Sequence, residues 1–316
     1  MSRSVYTSAM KWRLLAVLCG GAVASMGSLG CASVASDHHG LAGAAGSPGQ
    51  SSGGTGGAAD VGSCSERPSP LRTQGTLLSL PLQLVLANQP FVFGQPNALA
   101  DGSSLIPINL RFYVSQVQLL RSSGEPLAVD LVSASGVPEP YGVHLFNAEE
   151  PDSATLRVLA PAGDYAGLKF ALGIMLGCNQ QPPAQLADPL TDASQMTWPQ
   201  TGGFLFLRYE GLHSAAGNAG ASGMSPAIEI PPAVHMGGDI REELVPSVSV
   251  SGAFSIPASG TLEKGLKVVM DEVFQGATAD IDVSDSAVGL LSTPESIAGE
   301  RLRRQLSELQ VFVLEP

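Results

Sequence analysis

Ile106, Ile108, Leu110, Phe112 and Val114 recur at every second position of a run that is otherwise polar or tolerant of an edge. A period of two puts one row of side chains on a single face of a β-strand and scatters them around a helix, so the run must be a strand half-buried against a second apolar layer. At Ser115-Gln116 the apolar phase moves onto Val117 and Leu119, which points to a bulge or a bend between two sheets. The turn Ser122-Ser123-Gly124-Glu125-Pro126 then leads into an apolar run over 127–132, and the two read as a hairpin. Further strand-like runs cover 143–146, 155–159, 168–172, 204–209, 227–230, 248–256 and 266–270. No long helical periodicity separates them, which disfavours parallel β-α-β units and favours a mainly β fold, an antiparallel β-sandwich. One short C-terminal helix is expected: Thr293 caps it, Pro294 suits its first turn, and Ala298, Leu302, Leu306 and Leu309 form an apolar stripe that packs on the sandwich.

The chain's 316 residues are 44% hydrophobic and 14% charged, enough apolar material for a core of its own. Its beginning is different in kind. Lys11 and Arg13 precede an apolar run over 14–26 that is too short to span a bilayer and is followed by small residues, as in a secretory signal. Ser28-Leu29-Gly30-Cys31 follows, resembling a bacterial lipobox in which Cys31 is lipidated, although Ser28 stands where a large aliphatic residue is usual. From there to residue 63 the chain is Ala, Gly and Ser with almost no large apolar side chain, a composition that cannot offset its ordering entropy and suits a tether. His38 and His39 lie in that spacer. The expected organisation is a signal segment over 1–30, a disordered tether over 31–63 and one β-sandwich domain over 64–316, in a periplasmic or outer-membrane-anchored lipoprotein held to the membrane by the lipid alone.

The first 30 residues hold Arg3, Lys11 and Arg13 and no acid, so beyond them thirteen basic residues face 28 acidic ones and the net charge is −15. Such a field repels phosphate backbones, and nucleic acid is not an expected partner. With Cys19 in the signal and Cys31 at the lipid site, Cys64 and Cys178 remain for the body, and an oxidising compartment favours a disulfide between them. In the chain-entropy picture, closing a loop of more than a hundred residues stabilises by about 4 to 5 kcal/mol.

Signatures of catalysis are missing: there is no G-x-S-x-G elbow, no H-E-x-x-H and no Walker loop. Asp271-Glu272, Asp280 and Asp282 lack the defined loop of oxygen ligands that calcium requires, and read as solvated turn carboxylates. The chain is not expected to be an enzyme.

Three blocks stand in a telling order: Leu110-Arg111-Phe112-Tyr113-Val114-Ser115-Gln116-Val117, then 162–173 around Tyr165 and Gly173, then Met196-Thr197-Trp198 through Gly203-Phe204-Leu205-Phe206-Leu207-Arg208-Tyr209-Glu210-Gly211. With Val234-His235-Met236-Gly237-Gly238 and Val268 to Phe274 they resemble the MbnP family, periplasmic copper-binding proteins of the metallo-mystery pair. The resemblance implies a β-sandwich that binds copper through histidines and an oxidised tryptophan made by a partner di-haem, peroxidase-like enzyme. Imidazole suits copper in an oxidising compartment, and a tryptophan opened to kynurenine gains nitrogen and oxygen donors. His235 matches the histidine of the family's H-x-G segment, and Trp198 the first tryptophan of its M-x-W-x-W segment.

Two positions depart from the family's pattern. Cys178-Asn179-Gln180 stands where the family has an Asn-His pair, and Gln200 replaces the second tryptophan. Replacement donors must then be gathered in space from His144, His213, Met175, Met196 and Met236, the thioethers favouring Cu(I). The metal set expected on this reading is His235, Trp198, His144 and Met196. The competing reading is a binding or structural module of the cell envelope that keeps the fold without the ligands, with His235 hydrogen-bonded at a strand end and Trp198 a core anchor.

Overall fold

The computed structural model describes Cys64 and residues 75–100, 102–198, 203–214, 233–238, 245–274, 290–292, 297–308 and 310–315, all within a compact unit that spans Gly56–Pro316. The signal segment, Cys31, the tether, His38 and His39, the run over 227–230, Gln200, Asp280, Asp282, the Thr293-Pro294 cap and Leu309 lie outside the described residues.

Among the described residues sixteen strands follow in order: β1 Thr76–Leu86, β2 Gln89–Pro90, β3 Asn97–Ala98, β4 Ser104–Arg121, β5 Pro126–Ala128, β6 Asp130–Leu131, β7 Val143–Asn147, β8 Thr155–Ala160, β9 Gly163–Leu172, β10 Leu205–Ser214, β11 Ala233–Gly237, β12 Ser247–Ile256, β13 Thr261–Glu263, β14 Leu266–Val269, β15 Leu290–Ser292 and β16 Phe312–Leu314. Three α-helices lie among the described residues: α1 Leu176–Asn179, α2 Met270–Phe274 and α3 Ile297–Glu308. One sheet of seven strands runs β16-β14-β1-β8-β6 with β13 and β2 beside β1, and one of nine runs β12-β9-β4-β10-β11-β15 with β3, β5 and β7 beside β4. The β-sandwich expected from the sequence is therefore the fold. Its sheets are mixed in one respect: β1 pairs in parallel with β13 and β14, and β11 with β15. None of the sequence-level strand runs included β1, although β1 lies at the middle of the smaller sheet and Leu78, Leu80, Leu82, Leu84 and Leu86 alternate along it; Pro81 inside the run argues against a central strand.

The layers meet through aromatic rings. Phe112 of β4 stacks on Phe146 of β7 at 4.6 Å and meets Phe312 of β16 edge-on at 6.2 Å, while Phe170 of β9 meets Phe312 at 5.0 Å and nearly perpendicular. Phe312 thus reaches from the smaller sheet into the larger one, and such offset and edge-to-face contacts add to the area each ring buries. The helix α3 packs against β12 and α2, with Leu302 and Leu306 buried as its stripe demands. No helix among the described residues is long and apolar enough to cross a membrane.

The alternation along β4 holds only in part. Leu110, Phe112 and Val114 are buried between the sheets, but Ile108 is 51% exposed and Ile106 only half-buried. The reason is a bulge: Glu210 of β10 pairs with Asn109 and Gly211 with Pro107, so Ile108 is left over and the faces exchange at that point. The second irregularity falls where the sequence placed it. Ser115 pairs with Ala171 and Gln118 with Lys169, with Gln116 in the left-handed region at φ 53°. The hairpin also forms, Leu119 facing Leu127, but the run over 127–132 is not one strand. The chain leaves the larger sheet after β5, and β6 joins β8 in the smaller one. The last run, over 266–270, stops as a strand at Val269, and Met270 opens α2.

Substitution separates the two roles along β4. Leu110→Ala should cost about 2 to 5 kcal/mol in urea unfolding of the full chain, and Ile108→Ala less than about 0.5 kcal/mol; the reverse order would put the bulge in the wrong place.

Candidate functional site

Downstream of β9 the chain turns at Gly173, whose N–H donates to the Tyr113 carbonyl at 2.9 Å, and forms α1. Four residues make too short a helix to stand alone, so its place is set by what it touches. Cys178 is fully buried and joined to Cys64 by the disulfide, 114 positions away in sequence. Next to it the buried Asn179 donates through Nδ2 to the Gly238 carbonyl at 2.6 Å and accepts at Oδ1 from the Phe204 N–H at 2.8 Å. Around this amide, Gly238 N–H donates to the Phe204 carbonyl at 2.9 Å, Leu205 N–H to the Met196 carbonyl at 2.6 Å, and Trp198 N–H to the Gly203 carbonyl at 3.0 Å.

Four separated stretches therefore meet at one end of β10 and β11: α1, Met196 to Trp198, Gly203 to Leu205, and Gly237-Gly238. Two glycines make the approach possible. Gly203 has φ 76°, and a Cβ there would lie 2.9 Å from Asn179 Oδ1. At Gly237, φ 152°, a Cβ would run into the Phe204 carbonyl and Leu205 Cα, where the pairing of β10 with β11 is irregular.

The segment before Trp198 lies over the face of β4 that looks away from Phe312. Tyr113, the neighbour of Phe112, donates its hydroxyl to the Pro189 carbonyl at 2.9 Å and to Ser194 Oγ at 3.2 Å. Burial pushes the Tyr113 phenol well above its usual value, which keeps it a donor. Arg111 Nη1 donates to the Ser194 carbonyl at 2.7 Å, with Nη2 on Glu149, and Arg208 Nη1 donates to the Gln195 carbonyl at 2.8 Å. Under these ties Met196 and Trp198 are buried, as a core anchor requires.

His235 sits opposite Arg208 on β11, close to the same end of the sheet. Its Nε2 lies 3.0 Å from Glu210 Oε1, and that carboxylate also accepts from Arg208 Nε at 3.1 Å and Nη2 at 3.0 Å. Burial lowers the imidazole pKa, while Glu210 pulls it the other way. His144 is elsewhere. The register runs Asn147–Arg111–Arg208–His235 across four strands, so β7 lies three spacings from β11, about 14 Å. His144 Nε2 is 2.8 Å from the Ser153 carbonyl, beside a cleft lined by Glu139, Glu150, Asp152 and Asp188. His213 is buried five residues beyond Arg208 on β10, about 16 Å along the strand, on the face that Tyr209 shares. Met236 also points to the core, and Met175 precedes α1 beside Gln116 and Tyr141.

Of the four expected ligands, the structure brings His235, Trp198 and Met196 to one end of the sheet and leaves His144 far from it. Among the described residues no three His, Cys, Asp or Glu are arranged to hold a metal ion. A copper centre built on two histidines does not fit the described side chains, since among them no second imidazole reaches His235. Three residues at the centre of the arrangement were not singled out by sequence reasoning: Asn179, Glu210 and Arg208. Asn179 stood in plain view beside Cys178, but a lone amide carries no signal until its two partners, 25 and 59 residues away, are in place.

Comparison with curated proteins finds no match. A solved structure, MbnP from Methylosinus trichosporium, is similar at 20% identity and a TM-score of 0.48, over 73% of this chain and 88% of that one. The profile of the MbnP family matches residues 75–292, from the start of β1 to the end of β15, and the chain belongs to that family.

Proposed function

We propose that this chain is an exported MbnP-family lipoprotein of a bacterial envelope, anchored through Cys31, that uses the sandwich as a binding or structural module without the family's histidine copper centre. The observation that carries it is the separation of the described imidazoles: His235 is engaged by Glu210, His144, on another strand, by the Ser153 carbonyl, and His213 faces the core. Useful copper sites gather three or four donors, and one imidazole gives weak binding. The positively flanked apolar run, the cysteine after it and the body disulfide support export.

A copper-binding reading has one observation in its favour, the meeting of the Met196 to Trp198 and Gly237-Gly238 segments beside His235. There Trp198, oxidised by a di-haem peroxidase-like partner, would supply the donors that histidines do not. One experiment divides the readings: purify the full chain from membranes, load it with Cu(I) and with Cu(II), and count copper by mass spectrometry beside His235→Ala. Equal and substoichiometric copper in both is expected. One copper per chain, lost in the variant, would replace the module reading with the copper one. The Trp198 peptide from native cells should have the mass of unmodified tryptophan, and a kynurenine mass would establish the oxidase partner.

An engaged, largely buried imidazole also leaves a pH signature. The folded pKa of His235 lies below the unfolded value of about 6.5, so its contribution to stability is complete above that value and declines as pH falls through the folded pKa. His235→Gln should flatten the loss of urea stability below about pH 6.5; an unchanged slope would mean that this imidazole titrates freely.

A further inference from the structure

The disulfide and the Asn179 amide are adjacent in sequence and act on the same four-residue helix. We propose that the Cys64–Cys178 bond is a redox latch that sets the Asn179 clamp and thereby holds Trp198 in its buried position. This inference needs no metal and stands apart from the choice between the two readings above.

The chain of contacts is short. Helix α1 cannot hold itself, and Cys178 at its third position is fixed from outside by Cys64, which is packed against the core and partly exposed. Asn179, the next residue, holds Phe204 through its N–H and Gly238 through its carbonyl. Gly203, directly before Phe204, accepts from the Trp198 N–H and has no Cβ where Asn179 presses against it. A side-chain amide with both ends bonded at 2.8 Å or less has little freedom to follow a shift of its helix, so displacement of α1 breaks the clamp rather than stretching it.

Opening the latch requires a dithiol reductant. Its two thiols are oxidised to a disulfide, two electrons and two protons pass to the protein, and the S–S bond of Cys64–Cys178 breaks to two thiols. Cys64 is the less buried of the two residues, Cys178 being fully buried, so attack on the bond comes from the Cys64 side.

The test uses the full chain carrying Trp12→Phe, which leaves Trp198 as its single tryptophan. The protein is incubated with and without dithiothreitol, Cys64 and Cys178 are scored by alkylation and peptide mass, and Trp198 is followed by emission maximum and acrylamide quenching, with far-ultraviolet circular dichroism reporting the sheets. The expected result is reduction of the bond, a red shift and a rise in quenching at Trp198, and an unchanged β signal. Asn179→Asp, with the disulfide intact, should give the same shift without reductant because it removes the donor to Gly238. If that variant does not accumulate, the reduction arm decides alone. The proposal is overturned if the bond resists the dithiol in the folded protein, if reduction leaves Trp198 unchanged, or if the β signal collapses with it, since the bond would then be a global staple.

Discussion

Strand β4 is buried on both faces from Leu110 to Ser115, and the rest of the molecule is arranged around that fact. A strand of a sandwich ordinarily has one face against the core and one in water. Here Phe112 turns toward Phe312 of the opposite sheet, while Tyr113 turns into the layer formed by the segment between α1 and Trp198. Two hydrophobic layers therefore share one backbone. The Arg-Phe-Tyr triplet is the chemical record of this: Phe112 serves the inner layer, and Arg111 and Tyr113 tie down the outer one with polar groups aimed at backbone carbonyls.

The outer layer explains why three of the separated sequence blocks, those around Tyr113, Trp198 and His235, meet in space. A connection lying on a sheet must satisfy its own carbonyls and N–H groups. Arg111, Tyr113, Arg208 and Asn179 do this for the stretch leading to Trp198 and for the strand ends beyond it. What gathers at this end is chiefly structural chemistry, amides, guanidinium groups and glycines, with His235 beside it. The family profile spans β1 to β15, while among the described residues no second imidazole stands beside His235.

Sequence made the sandwich legible because several runs keep the strand period, and because Ser115-Gln116 announces its bulge by a change of phase. It also brought Cys64 and Cys178 together on redox grounds. The bulge at Ile108 was not legible: an apolar residue in phase with its neighbours gives no sign that its partner strand is one residue short. Nor was β1, where Pro81 interrupts an alternating row of leucines that would otherwise read as a central strand. For the site, residue type pointed to His235 and Trp198, while the separation of His144 from them followed only from strand order, a property of pairings between stretches up to a hundred residues apart.

The placement of β1 bears on how such a chain comes to be folded at all. Its neighbours are β2 and β8 on one side and β13 with β14 on the other, so on that second side Leu77 to Val85 wait for partners that end at Val269. The smaller sheet cannot close until nearly all of the polypeptide is free, and pairings so distant in sequence form slowly. The central strand of the smaller sheet is thus made among the first and completed among the last, because one of its two sides stays open until β13 and β14 arrive.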